Sequence, residues 1–134
     1  QMDRIRKHIN EDLDRQRGIY LGLVAELERH DIHIYDFESL GAEDQEYLNG
    51  FFRRKIFPVL TPLSVDPGHP FPFISNLSYS LGMILRNPQT ETVLFSRVKI
   101  PEVIPGLILL PRAEGEKKFR FVSTVTLVRS NLSM

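Results

Sequence analysis

The chain has 134 residues, enough for one domain with a core of its own and too few for several. Its composition, 42% hydrophobic and 25% charged, excludes a disordered or fibrous protein. Seventeen basic residues balance seventeen acidic ones, so net charge selects no polyanionic partner, although a local basic face stays open.

The absence of cysteine removes disulfides and thiolate metal sites and suits a reducing compartment. No apolar run nears the ~20 residues needed to span a bilayer, and no signal-peptide pattern is present. Gln1 ahead of Met2, and a stop at Ser133-Met134 with no helix-ending signal after Leu132, read as a piece excised from something longer.

Residues 2 to 29 are expected to form a long helix. Met2, Ile5, Ile9, Leu13, Gln16, Tyr20, Val24 and Leu27 recur at steps of three or four and share a stripe. Ile19, Leu21 and Leu23 broaden that stripe, so the second half should be the better buried. Gly18 and Gly22 each cost about 1 kcal/mol against alanine in a helix, and their spacing suggests a closely packed neighbour.

Ile32-His33-Ile34-Tyr35 then alternates like a short strand. A second helix is expected from about Gly41 to Ile56, with Gly41 as N-cap and Glu43 and Asp44 in its first turn, where carboxylates suit the dipole. Tyr47, Leu48, Phe51 and Phe52 form its buried face, and Pro58 ends it.

From Pro58 to Asn76 stand Pro58, Pro62, Pro67, Pro70 and Pro72, interleaved with Val59, Leu60, Leu63, Val65, Phe71, Phe73 and Ile74. That density argues against a helix or a central strand. It predicts instead an extended, rigid loop pinned to the core.

Tyr79, Leu81, Met83 and Leu85, alternating with Ser78, Ser80 and Gly82, predict a half-buried strand. Asn87-Pro88-Gln89-Thr90 is a turn, and Val93 to Ile100 is the hairpin partner, with Val93, Phe95, Arg97 and Lys99 on one face. Leu107 to Leu110 and Lys118 to Val122 read as two further strands, joined through a polar turn containing Gly115. Val122 to Val128 has strand propensity, yet Val125, Val128 and Leu132 also suit a helix face capped by Ser123 or Thr124.

The fold class expected is α+β: a long N-terminal helix and a second helix, a proline-rich anchored loop, a small antiparallel sheet of about four strands, and a C-terminal helix.

The run from Ile56 to Ser78 contains Pro58-Val59-Leu60-Thr61-Pro62 and Gly68-His69-Pro70-Phe71-Pro72-Phe73. Together with Phe95-Ser96-Arg97-Val98-Lys99-Ile100-Pro101, Phe121-Val122 and Arg129-Ser130-Asn131-Leu132, it closely resembles the middle domain of bacterial polyphosphate kinases of the long type. The resemblance covers nearly all of this chain and a minor part of such an enzyme. It implies that 1–134 is one middle or head domain, with 1–30 a helix leading from a preceding domain, and it favours the terminal helix. Ser123-Thr124-Val125-Thr126 departs from the proline, leucine and acidic residues that usually enter that helix.

The family transfers the terminal phosphate of ATP to polyphosphate, reversibly, through a phosphohistidine. The resemblance implies that this histidine, with the ATP and Mg2+ sites, lies in C-terminal domains outside this sequence. The fragment itself is then expected to be inactive and to hold no cofactor or metal. It would serve subunit contact within a homo-oligomer and help form a channel for polyphosphate. Its partners would be the other domains of the same enzyme, in the cytoplasm, with membrane attachment of the intact enzyme left open.

None of His8, His30, His33 and His69 has the setting of that phosphorylated histidine. His30 and His33 with Asp31 and Asp36 lack the spacing of a metal site. His69, between Gly68 and Pro70, suits loop-holding better than reaction.

Arg97 and Lys99, on one strand face, can reach the same anion, with the arginine fork gripping two oxygens. Arg97, Lys99 and His69 are therefore the candidate polyphosphate contacts. The plain alternative is an exposed face kept hydrated by its basic residues. Arg53-Arg54-Lys55 and Lys117, Lys118 and Arg120 read as solvated faces beside Glu114 and Glu116. A free-standing module for oligomerisation, or for binding nucleic acid or another acidic polymer through the basic strand face, is the other reading. Binding of nucleic acid through Phe119, Arg120 and Phe121 is disfavoured by the neutral charge and the missing motif.

Overall fold

The computed structural model describes residues 2–65, 71 and 73–132. In chain order the elements are α1 (Met2–Arg29), β1 (Ile32–Tyr35), α2 (Ala42–Phe51), β2 (Thr61–Val65), β3 (Tyr79–Arg86), β4 (Val93–Ile100), β5 (Leu107–Leu109), β6 (Phe119–Ser123) and α3 (Thr124–Leu132). The α+β class is confirmed. The strands form two three-stranded sheets, β1-β6-β5 and β2-β4-β3, where one sheet of about four strands is expected from the sequence. The chain divides into two compact units, Gln1–Tyr35 with Leu109–Phe121, and Asp36–Ile108 with Val122–Met134.

In the first unit α1 spans the expected residues. It ends where Asp31 takes a left-handed φ of 60° and the His30 amide donates to the Leu27 carbonyl. None of its side chains is buried. Val24 and Leu27 are half-covered, but Ile19, Leu21 and Leu23 stay exposed. Gly18 and Gly22 face open space, with nothing within 4 Å of an added Cβ, so the close neighbour expected there is not found among the described residues.

The strands of this unit are tied by two amides: Phe119 N donates to Asp31 O at 2.7 Å, and Leu110 N to Arg120 O at 2.8 Å. Gly115, at φ 81°, turns the chain between them. The Arg112 guanidinium lies 4.3 Å over the Phe119 ring.

The second unit holds most of the core. Gly41 caps α2 with extended backbone angles, as expected, but the predicted single helix to Ile56 is not continuous. A π-helical turn follows at Phe52–Ile56 and a 3-10 turn at Phe57–Val59, with Pro58 in the latter. Leu48, Phe52 and Ile56 are buried along one side, whereas Tyr47 is turned outward. Against them pack Leu127 and Val128 of α3, both fully buried. Thr124 begins α3, its hydroxyl donating to Pro105 O and its amide to Gly106 O. The terminal segment is thus a helix, as the resemblance favours.

Glu38 accepts from Ser130 Oγ at 2.7 Å and from the Arg129 guanidinium at 3.3 Å. The Ser130 hydrogen bond first, and then a backbone hydrogen bond, hold its carboxyl below the ordinary glutamate range against the opposing effect of desolvation, with a lesser contribution from the Arg129 guanidinium. Folded Glu38 therefore takes up a proton less readily than unfolded Glu38. Its contribution is complete above the unfolded value of about 4.3 and is lost as pH falls through the folded value. Stability measured from pH 6 down to pH 3 should decline more steeply for the natural chain than for Glu38→Gln. Parallel declines would show the contact to be inert.

The proline segment contains an element the sequence hides. Thr61–Val65 is a strand, pairing antiparallel with β4 from Thr61↔Lys99 to Val65↔Phe95. Proline is tolerated because β2 is an edge strand, where Pro62 need not donate on its open side. The β3–β4 hairpin forms as expected, with Asn87 Oδ1 accepting from the Gln89 amide at 2.9 Å.

Candidate functional site

The register of the second sheet places Lys99 opposite Ser80 and Thr61, and Arg97 opposite Gly82 and Leu63, all on one face. Side chains directly opposite in an antiparallel pair point to the same side, so Phe95, Arg97 and Lys99 form a row down the middle strand. Glycine at 82 serves close approach: an added Cβ would stand 3.0 Å from the Phe95 ring.

The described part of the proline segment crosses this face. The Phe71 ring stacks on Phe95 at 5.9 Å. The Phe73 carbonyl accepts from the Arg97 guanidinium at 2.9 Å. Ser75 Oγ accepts from Lys99 Nζ at 3.4 Å, near the long limit. Residues 71, 73 and 75 thus follow 95, 97 and 99 in step, so the segment runs parallel to β4 over the sheet. It is anchored as the sequence suggests, by the Phe71 ring and by polar groups, whereas the Phe73 side chain is 88% exposed.

Arg97 is the correction to the picture of an exposed basic face: it is 5% exposed. Its Nε donates to Ser80 Oγ at 3.1 Å in addition to the Phe73 bond. Among the described residues no carboxylate pairs with it, so a permanent positive charge sits in low dielectric beside neutral acceptors. Lys99 is half-buried and donates to Ser75 Oγ at the long limit. Such a face can attract and orient an anion. Ser75, Ser80 and the Phe73 carbonyl went unnoticed in the sequence. Ser80 was reachable from the hairpin register, whereas the crossing segment leaves no local pattern.

His69 lies outside the described residues. His8 stands 3.4 Å from Glu11, His30 3.6 Å from Glu26, and the His33 ring stacks on Tyr35 at 6.0 Å. Among the described residues no group of three or more His, Asp or Glu stands together to hold a metal. Arg53, Arg54 and Lys55 are exposed on the π-helical turn, with Arg54 folded back against Gly50. In the other unit Lys117 and Lys118 are exposed, and Arg120 pairs with Glu116 at 3.4 Å. An apolar cleft of about 410 Å3 near Leu77, Ile100, Ile104 and Thr124 carries Glu102 and no cation, which disfavours it for a polyanion. No helix among the described residues is long and apolar enough to cross a membrane.

Residues 43–134 match the family model for the polyphosphate kinase middle domain. The chain is 45% identical over 112 residues to a polyphosphate kinase of Aphanizomenon baltica, covering 83% of this chain and 29% of that protein. It is 38% identical over 139 residues to polyphosphate kinase 1 of Chlorobaculum tepidum, covering all of this chain and 20% of the relative. The fold matches a crystal structure of polyphosphate kinase from Porphyromonas gingivalis with a TM-score of 0.75 at 23% identity, over 93% of this chain and 21% of that one. The chain therefore spans less than a third of the relatives it matches. It belongs to the polyphosphate kinase family, and residues 43–134 are its middle domain.

Proposed function

We propose that this chain is the non-catalytic middle domain of a cytoplasmic polyphosphate kinase that transfers the terminal phosphate of ATP to polyphosphate. ATP and Mg2+ then act in other domains of the same enzyme. Here the chain provides subunit contact and part of the path of the polyphosphate, with Lys99 touching phosphate oxygens, Arg97 charged beneath it, and His69 the third contact. The observation that carries this reading is the pair of cations on one covered strand face, with no carboxylate paired to either among the described residues. In a polyphosphate path such a pair offsets phosphate charge at little further entropic cost, because the overlying segment already orders Arg97.

Titration calorimetry of the chain with polyphosphate across a salt series tests the proposal. Affinity should fall as salt rises, as it does for any polyanion bound by counterion release. Lys99→Ala should weaken binding about threefold to tenfold, the worth of one hydrogen-bonded contact of about 1 kcal/mol. No binding at low salt would overturn the path and leave a scaffold. Tighter binding of a nucleic acid of equal charge would make the chain a module for that polymer instead.

A further inference from the structure

The cleft of about 410 Å3 opens at one end of the β3–β4 hairpin. Tyr79 and Ile100 stand opposite each other in the hairpin register, next in line to the Ser80–Lys99 pair. Successive strand residues alternate between faces, so both point to the face away from Arg97 and Lys99. The remaining walls come from the link between β4 and β5 and from the start of α3, through Ile104, Pro105 and Val125. All of these residues belong to one compact unit.

These walls are firmly tied. Pro101 and Pro105 bracket the link, and the Ile104 amide donates to the Pro101 carbonyl at 3.1 Å, closing a turn. Thr124, only 1% exposed, secures the far side, its hydroxyl donating to Pro105 O and its amide to Gly106 O at 3.0 Å. A cleft that is already formed asks a ligand for little ordering of the protein. Its volume falls within the range of small-molecule sites, about 300–1,000 Å3.

The lining also selects a charge. Glu102 is its one charged side chain, and no Lys, Arg or His joins it there among the described residues. A carboxylate beside apolar walls attracts a cation and favours one with an apolar body of its own. Leu77 lines the cleft while 98% exposed, so such a body would cover surface now left in water. We propose that this cleft binds a small organic amine, with its ammonium group at Glu102 and its ring or branched alkyl body on Ile100, Ile104 and Val125. The site lies on the other face of the sheet from Lys99 and goes beyond the polyphosphate reading, on which it does not depend.

Tryptamine, 3-propylindole and indole-3-propionate test this, since they share one body and carry a positive, a zero and a negative charge. Each is titrated into the natural chain and followed by backbone amide chemical shifts. Tryptamine should shift Ile104, Gly106 and Thr124 and bind about threefold more tightly than 3-propylindole, the worth of one exposed ion pair. Indole-3-propionate should bind more weakly than either. Glu102→Gln, at an exposed turn position, should erase the advantage of tryptamine and leave 3-propylindole unaffected. Gly106 has no positive φ and nothing within 4 Å of an added Cβ, so Gly106→Val fills open space and should weaken tryptamine about tenfold. Shifts confined to other residues, or equal binding of amine and acid, would overturn the site. So would an advantage of tryptamine that survives in Glu102→Gln. Circular dichroism checks that each variant is folded.

Discussion

Replacing Arg97 by alanine should lower the unfolding free energy by about 2–3 kcal/mol. Two effects oppose each other. The buried guanidinium carries a desolvation cost, with no carboxylate among the described residues to offset it, so its removal recovers some free energy. Against that, Phe73 O and Ser80 Oγ lose a charged donor, and the truncated side chain leaves a gap under the crossing segment. The second effect should win for alanine because both losses fall together. Arg97→Met separates them: it keeps most of the volume, removes the charge, and should cost about 1 kcal/mol or less. Urea unfolding measures both, and faster amide exchange across 73–75 in either variant would show that the segment is released. Equal stability for Arg97→Ala and the natural chain would mean that the fork does not hold the segment.

Leu127→Ala should cost about 3 kcal/mol, the usual range for a large-to-small change at a fully buried site. Leu127 has no exposed surface and lies in the core that also holds Leu48, Phe52, Ile56 and Val128. Its helix has only nine residues, too short to persist by propensity, so packing holds it. Loss of that packing also weakens the Glu38 contacts to Ser130 and Arg129, which depend on α3 staying docked. The urea midpoint should fall with little change in slope. A shift under 1 kcal/mol would show that the core collapses around the gap.

The hairpin of β3 and β4 was legible because alternation and an Asn-Pro turn both act within a few residues. The start of α2 was legible through Gly41 and the acids behind it. The π-helical turn was not, since widening a helix by one residue changes no composition. β2 was concealed by Pro62, which reads as a strand breaker until the strand is known to be an edge. The β1-β6-β5 sheet was hidden for another reason: β1 and β6 are separated by more than eighty residues of chain. At the candidate site, alternation put Arg97 and Lys99 on one face correctly. The burial of Arg97 came from a segment crossing that face, a tertiary event to which strand periodicity is blind.

The absence of any buried side chain from α1 bears on how the chain unfolds. A helix of 28 residues with no buried side chain is held largely by backbone hydrogen bonds and by i,i+3 and i,i+4 ion pairs such as Lys7–Glu11 and Arg29–Glu26. Its melting is therefore gradual and fraying from the ends, whereas the unit around Leu48 and Leu127 gives way all at once. Far-ultraviolet ellipticity, weighted toward the longest helix, then reports a process distinct from the loss of the core, and a single transition temperature does not describe this molecule.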